Sequence, residues 1–189
     1  MRIMASIVRR FKQVLAPTAL LVAFCATVSA QVADVEGMLA QLADPETVGW
    51  EDLESRIVAE WSRSGSASMD LLLRRGKEAL EAGEPDVALQ HLGALTDHAP
   101  EFAEGWHLRA IALFGLNLYG PALEDVMRVL ELNPRHFGAK AGFAAILQQL
   151  GRDEEALEAW RQVHALHPHR ETTRAAMEML SSRVEGRGL

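Results

Sequence analysis

The chain has 189 residues, 49% of them hydrophobic and 24% charged, with 26 acidic against 19 basic residues and a formal net charge of −7. That is apolar enough for a packed core, while the acidic balance argues against nucleic acid or an anionic membrane surface as a partner. A single cysteine, Cys25, leaves no disulfide framework and no paired-thiol metal motif.

Residues 1–30 read as a secretory signal peptide. Arg2, Arg9, Arg10 and Lys12 give a basic start without an acidic residue, Val14 to Val28 is almost wholly apolar, and Val28-Ser29-Ala30 suits cleavage before Gln31. Cleavage would leave 159 residues without cysteine and move the net charge from −7 to −11. The apolar run falls short of the ~20 residues of a stable membrane span. Left uncleaved, the same segment would anchor the chain as a structural subunit of a membrane-bound assembly. Residues 31–62 then predict a helical hairpin. Val35, Met38, Leu39 and Leu42 keep helical spacing, as do Trp50, Leu53, Ile57 and Trp61, with Asp44-Pro45 as the break between them. The RSGSAS stretch, 63–68, reads as a short flexible linker.

From 69 onward the chain repeats itself. Pro100, Pro134 and Pro168 stand 34 residues apart, as do Ala88, Ala122 and Ala156, and the small-residue column Gly76, Ala110 and Ala144. A 34-residue period is the length of a helix–turn–helix unit that buries its apolar face only by stacking on its neighbours. The units run 69–102, 103–136 and 137–170. The small column on the first helix lets the second approach, and the alanine column returns the favour. Gly83, Asn117 and Gly151 share the column between the helices, where a left-handed residue ends the first helix. Each proline closes its unit because it cannot continue a helix.

The middle unit closely resembles the tetratricopeptide repeat, through Trp106, Leu108-Arg109-Ala110, Leu113, Ala122, Val126, Val129 and Pro134. The third copy carries Phe143, Ala144, Leu147, Gly151, Ala156, Trp160, Val163 and Pro168. The first carries Leu72, Gly76, Ala79, Gly83, Ala88, Leu92, Leu95 and Pro100. The resemblance implies an all-α fold, a right-handed α-solenoid of three repeats with the N-terminal hairpin at one end. Residues 171–183 form its C-terminal capping helix, and 184–189 a flexible tail.

The resemblance also implies a concave groove lined by the first helix of each repeat, where a peptide segment or helix of a partner binds. Its positions here are Asp70, Leu73, Lys77 and Leu80, then Glu104, His107, Ile111 and Phe114, then Ala141, Ala145, Gln148 and Gln149. Ile111 and Phe114 are either anchors for the partner or packed under a terminal helix. Some members clamp a carboxylate with basic and amide residues at set columns. Those columns hold Leu73, Lys77, Leu108, Gly138 and Gly142, and one cation makes no clamp. Trp106 and Trp160 fall on core columns.

Other chemistries find little support. His164, His167 and His169 are spaced like no established metal motif and suit a helix C-terminus. Asp153-Glu154-Glu155 open a helix at the positive end of its dipole. Gly76-Lys77 lacks the rest of a phosphate loop, and no Gly-x-Ser-x-Gly elbow exists. The expectation is a non-catalytic adaptor without cofactor or small-molecule substrate, exported to the periplasm of a bacterium and binding another protein.

Overall fold

A computed structural model of the protein describes residues 35–187, and the signal-peptide reading of 1–30 lies outside them. The described residues form nine helices and no strand. These are α1 (35–42), α2 (Trp50–Trp61), α3 (Ala67–Glu81), α4 (Pro85–His98), α5 (Ala103–Gly115), α6 (Tyr119–Leu132), α7 (Phe137–Gln149), α8 (Asp153–Leu166) and α9 (Glu171–Arg187). The chain divides after Leu39 into two compact units, and everything below concerns the second, residues 40–189.

Helices α3 and α4, α5 and α6, and α7 and α8 pack in pairs, and each pair packs on the next. The three turns are copies of one another. Gly83, Asn117 and Gly151 take φ of 73°, 60° and 72°. In each turn the following amide bonds back six residues inclusive: Glu84 to Ala79, Leu118 to Leu113 and Arg152 to Leu147, all at 2.9 Å. That occupies carbonyls a helix end leaves open and reverses the chain by the same turn three times. Ala88, Ala122 and Ala156 are fully buried, as expected of the side on which two helices meet.

Three buried clusters run through the stack. Leu73, Leu92, Leu95 and Leu108 dominate the first, Leu113, Val126, Val129 and Ile146 the second, and Leu147, Leu157 and Leu180 the third. The last member comes from α9, whose Leu180, Met177 and Val184 cover the apolar face of α7 and α8. Arg183 of the same helix faces Asp153 at 3.7 Å. The helix runs to Arg187, four residues past the expected end at 183, because Val184 still has core to cover.

Two further segments differ from expectation. The amide and hydroxyl of Ser64 both donate to Asp70 Oδ1, at 2.9 and 2.5 Å, and α3 begins at Ala67. The expected flexible linker is thus fastened to the helix it precedes. Helix α2 lies against the junction of the second and third repeats and the end of the third. Trp61 stacks on His136 at 4.4 Å and meets Phe137 at 5.0 Å, while Trp50 stacks on His169 at 5.5 Å with planes 5° apart. No helix of the described residues is long and apolar enough to cross a membrane.

Candidate functional site

Six of the twelve expected groove residues converge on one cavity. Glu104, His107, Ile111 and Phe114 of α5 face Ala141 and Ala145 of α7 around a space of about 400 Å³. Ile111 is 44% exposed, and Phe114 is half-buried with its ring 5.4 Å from Tyr119, so neither is sealed under a terminal helix. Gly138, Gly142, Ile146 and Trp160 are among the further repeat residues that line it, with His136, Phe137 and Arg170 toward α2. Val58 and Trp61 of α2 supply another wall.

The other six lie elsewhere. Leu73 is a correction: it is 6% exposed and belongs to the first buried cluster with Leu92 and Leu108, because the face it occupies is covered by the next repeat. Leu80 is half-buried against the same cluster. Asp70 is committed to Ser64, whose hydrogen bonds hold its carboxyl below the usual range. Lys77 is exposed, 3.9 Å from Glu81, and borders a shallow depression with Trp50 and Glu54. Gln148 and Gln149 are outside the cavity lining. Trp160, expected in the core, is half-buried and lines the cavity, whereas Trp106 donates through Nε1 to the Pro100 carbonyl at 2.9 Å.

Histidines organise the polar end of the cavity. His136 Nδ1 accepts the Ala139 amide at 3.0 Å and caps α7, so Nε2 carries the hydrogen and donates to Glu104 Oε2, also at 3.0 Å. Burial raises the Glu104 carboxyl, but the bond from His136 together with the nearby His107, His136 and Lys77 leaves the pKa lowered. His107 packs on the His136 ring at 4.4 Å. Desolvation, helped by His136, pushes its pKa down to about 3, so His107 is neutral near pH 7.

A second polar knot ties α2 down. Glu54 accepts from His167 Nε2 at 2.9 Å and from Arg170, and Arg170 also sits over the Phe137 ring at 5.0 Å. Burial pushes the Glu54 carboxyl up, but the bonds from His167 and Arg170 prevail and hold it at about 2. His167 and His169, candidates for a metal site, are instead spent on α2. His167 holds Glu54, and His169 stacks on Trp50 while its Nε2 lies 3.1 Å from the Asp44 carbonyl just before the helix. No group of three His, Cys, Asp or Glu side chains among the described residues is placed to hold a metal.

These two knots set a pH dependence. The folded pKa of His107 lies below its ordinary 6.5 and that of Glu54 below its ordinary 4.5. In both windows the unfolded chain binds more protons, so stability rises with pH. Stability is therefore complete above about pH 6.5 and falls on acidification, with His107 acting from 6.5 toward 3 and Glu54 only below 4.5. Urea midpoints measured across pH 7 to 4 will show it, and His107→Gln will flatten the part above pH 4.5. A flat profile in the parent would overturn the assignment of a neutral His107.

Helix pairs of nearly equal length, stacked in linear order and closed by a cap, define an α-solenoid of the helical-repeat class. No profile of a known protein family matches the chain. It is 34% identical over 143 residues to a TPR repeat-containing protein of Rhizobium etli, covering 76% of this chain and 69% of that one. The chain belongs to the tetratricopeptide-repeat family. Among solved structures, it is similar to the Arabidopsis OM64 TPR domain, with a TM-score of 0.60 and 18% identity over 61% of this chain and 96% of that one. It is also similar to the first TPR of Spaghetti (RPAP3) bound to the HSP90 peptide SRMEEVD, with a TM-score of 0.61 and 22% identity, covering 64% and 95%. The TPR2B domain of yeast Sti1 in complex with pHsp70 gives a TM-score of 0.57 and 22% identity, covering 62% and 99%. At these identities the likeness is one of fold.

Proposed function

We propose that this protein is a non-catalytic adaptor of a bacterial cell envelope, exported by residues 1–30 to the periplasm, where it binds a peptide segment or helix of another protein. The observation that carries the reading is the cavity: six side chains from two neighbouring repeats meet around about 400 Å³ of largely apolar space on one face. A concave apolar site with a few placed polar groups is the usual form of a binding site. The peptide-bound structures above support peptide recognition by this fold. The relative in Rhizobium etli supports a bacterial setting, and the basic, then apolar, then small-residue order of 1–30 supports export.

The cavity wall gives the test. Phe114→Asp puts a carboxylate where a partner's apolar group would bury. In affinity capture from an envelope extract it will reduce recovery of the bound protein at least tenfold, with helix content by circular dichroism unchanged. Undiminished capture would place binding on another surface. Intact mass of the exported protein tests the leader, since cleavage before Gln31 removes 30 residues.

A further inference from the structure

The cavity is not made by the repeats alone. Val58 and Trp61 of α2, a helix outside the repeat pattern, form one side of it, and the Trp61 ring is fixed there by stacking on His136 and Phe137. The Glu54 bonds to His167 and Arg170 hold the same helix one and two turns further back. The two charged side chains of the lining are already engaged: Arg170 is paired with Glu54, and Glu104, 6% exposed, accepts the His136 hydrogen bond. Lys77, the one basic side chain among the expected groove positions, borders the separate depression. An anion brought into this space would lose its water and find no free cation, and a cation would lose its water with only the buried, already hydrogen-bonded Glu104 carboxylate to meet. The floor is lined by Gly142, Ala141 and Ala145, and a methyl added to Gly142 would meet only Val126, at an ordinary 3.6 Å. Trp61 shows which side chain this face accepts: an aromatic one, laid flat against His136.

We propose that the binding site is a composite of repeat helices α5 and α7 with α2, and that it takes one uncharged aromatic or large aliphatic side chain from a partner segment lying alongside α2. The inference rests on the adaptor reading and specifies its ligand. Acidic tails such as SRMEEVD, found on the similar structure, are the wrong chemistry for it. Helix α2 is then part of the recognition surface and stays in place when the partner binds.

Side-chain analogues test this on the full chain. Toluene and 3-methylindole stand in for the partner's side chain, and propionate and butylammonium supply charged controls, each titrated by amide and indole NMR. The neutral pair will cause saturable shifts at Gly142, Ala145 and the Trp61 indole, and will bind at least tenfold more tightly than the charged pair. Val58→Glu and Ile111→Glu place a carboxylate on opposite walls at partly exposed helix positions. Each will weaken toluene binding at least fivefold, with unchanged thermal unfolding. Equal binding of the charged analogues overturns the proposal, as does a Val58→Glu protein that binds like the parent. Neither result touches the adaptor reading, which stands or falls on capture by the Phe114→Asp variant.

Discussion

Replacing Asp125 by alanine will destabilise the fold by about 3–5 kcal/mol, the cost of stranding a partly buried cation by removing its partner. Asp125 is 3% exposed on α6 and grips Arg109 of α5 with both oxygens, at 2.6 and 2.7 Å. The third guanidinium nitrogen donates to Thr96 Oγ1 of α4 at 2.8 Å, and the cation lies 4.4 Å from the Trp106 ring centroid. One guanidinium therefore joins three helices across the boundary between the first and second repeats. The bond from Asp125 raises the pKa of Arg109 further, so the cation cannot escape by losing its proton. Asp125→Asn keeps the shape and part of the bonding and will lose less. Changing both partners to leucine will recover part of the loss, because two apolar groups leave no charge stranded. Urea unfolding measures all three. A loss below about 1 kcal/mol for Asp125→Ala would rank the pair with ordinary surface bridges.

What the sequence made legible, and what it did not, follows from whether a residue repeats. Ala88, Ala122 and Ala156 must each fit the same neighbour, and Gly83, Asn117 and Gly151 the same left-handed turn, so the 34-residue step betrays their roles. Groove positions repeat less faithfully. The column logic found Ile111 and Phe114, yet it placed Leu73 in the groove, where the next repeat buries it. Arg109 falls on the repeat signature and Arg75 shares its column, but the column of Asp125 holds His91 and Ala159, so nothing that repeats pairs the two charges. The position of α2 was illegible for a related reason. Trp50, Glu54, Val58 and Trp61 lie on one face at helical spacing, which says that the face is covered without saying by what. His136, His167 and His169 were the available signal. Each sits at or beside the end of a unit next to a proline or an aromatic residue, and in the fold all three turn toward α2.

The packing that sets the repeat spacing can be tested where it is tightest. Leu92 of α4 is fully buried, and a methyl group added to Gly76 of α3 would lie 2.5 Å from its Cγ and from Cδ2. Leu92→Ala will cost about 2–5 kcal/mol, the range for emptying an enclosed leucine site. Gly76→Ala sets two effects against each other. Alanine improves a helix interior by about 1 kcal/mol, while overpacking costs about 1–3 kcal/mol. Overpacking wins here, because Leu92 is enclosed by Leu73, Leu95 and Leu108 and has nowhere to withdraw. In the double variant the new methyl enters the space the leucine vacated. Its helix preference then acts unopposed, so the Gly76→Ala/Leu92→Ala protein will be more stable than Leu92→Ala alone. A double-mutant cycle by urea denaturation reads this as a favourable coupling of at least about 1 kcal/mol. Additive losses would mean that α3 and α4 can shift apart at this point. Close approach between the paired helices would then not be what keeps this column small.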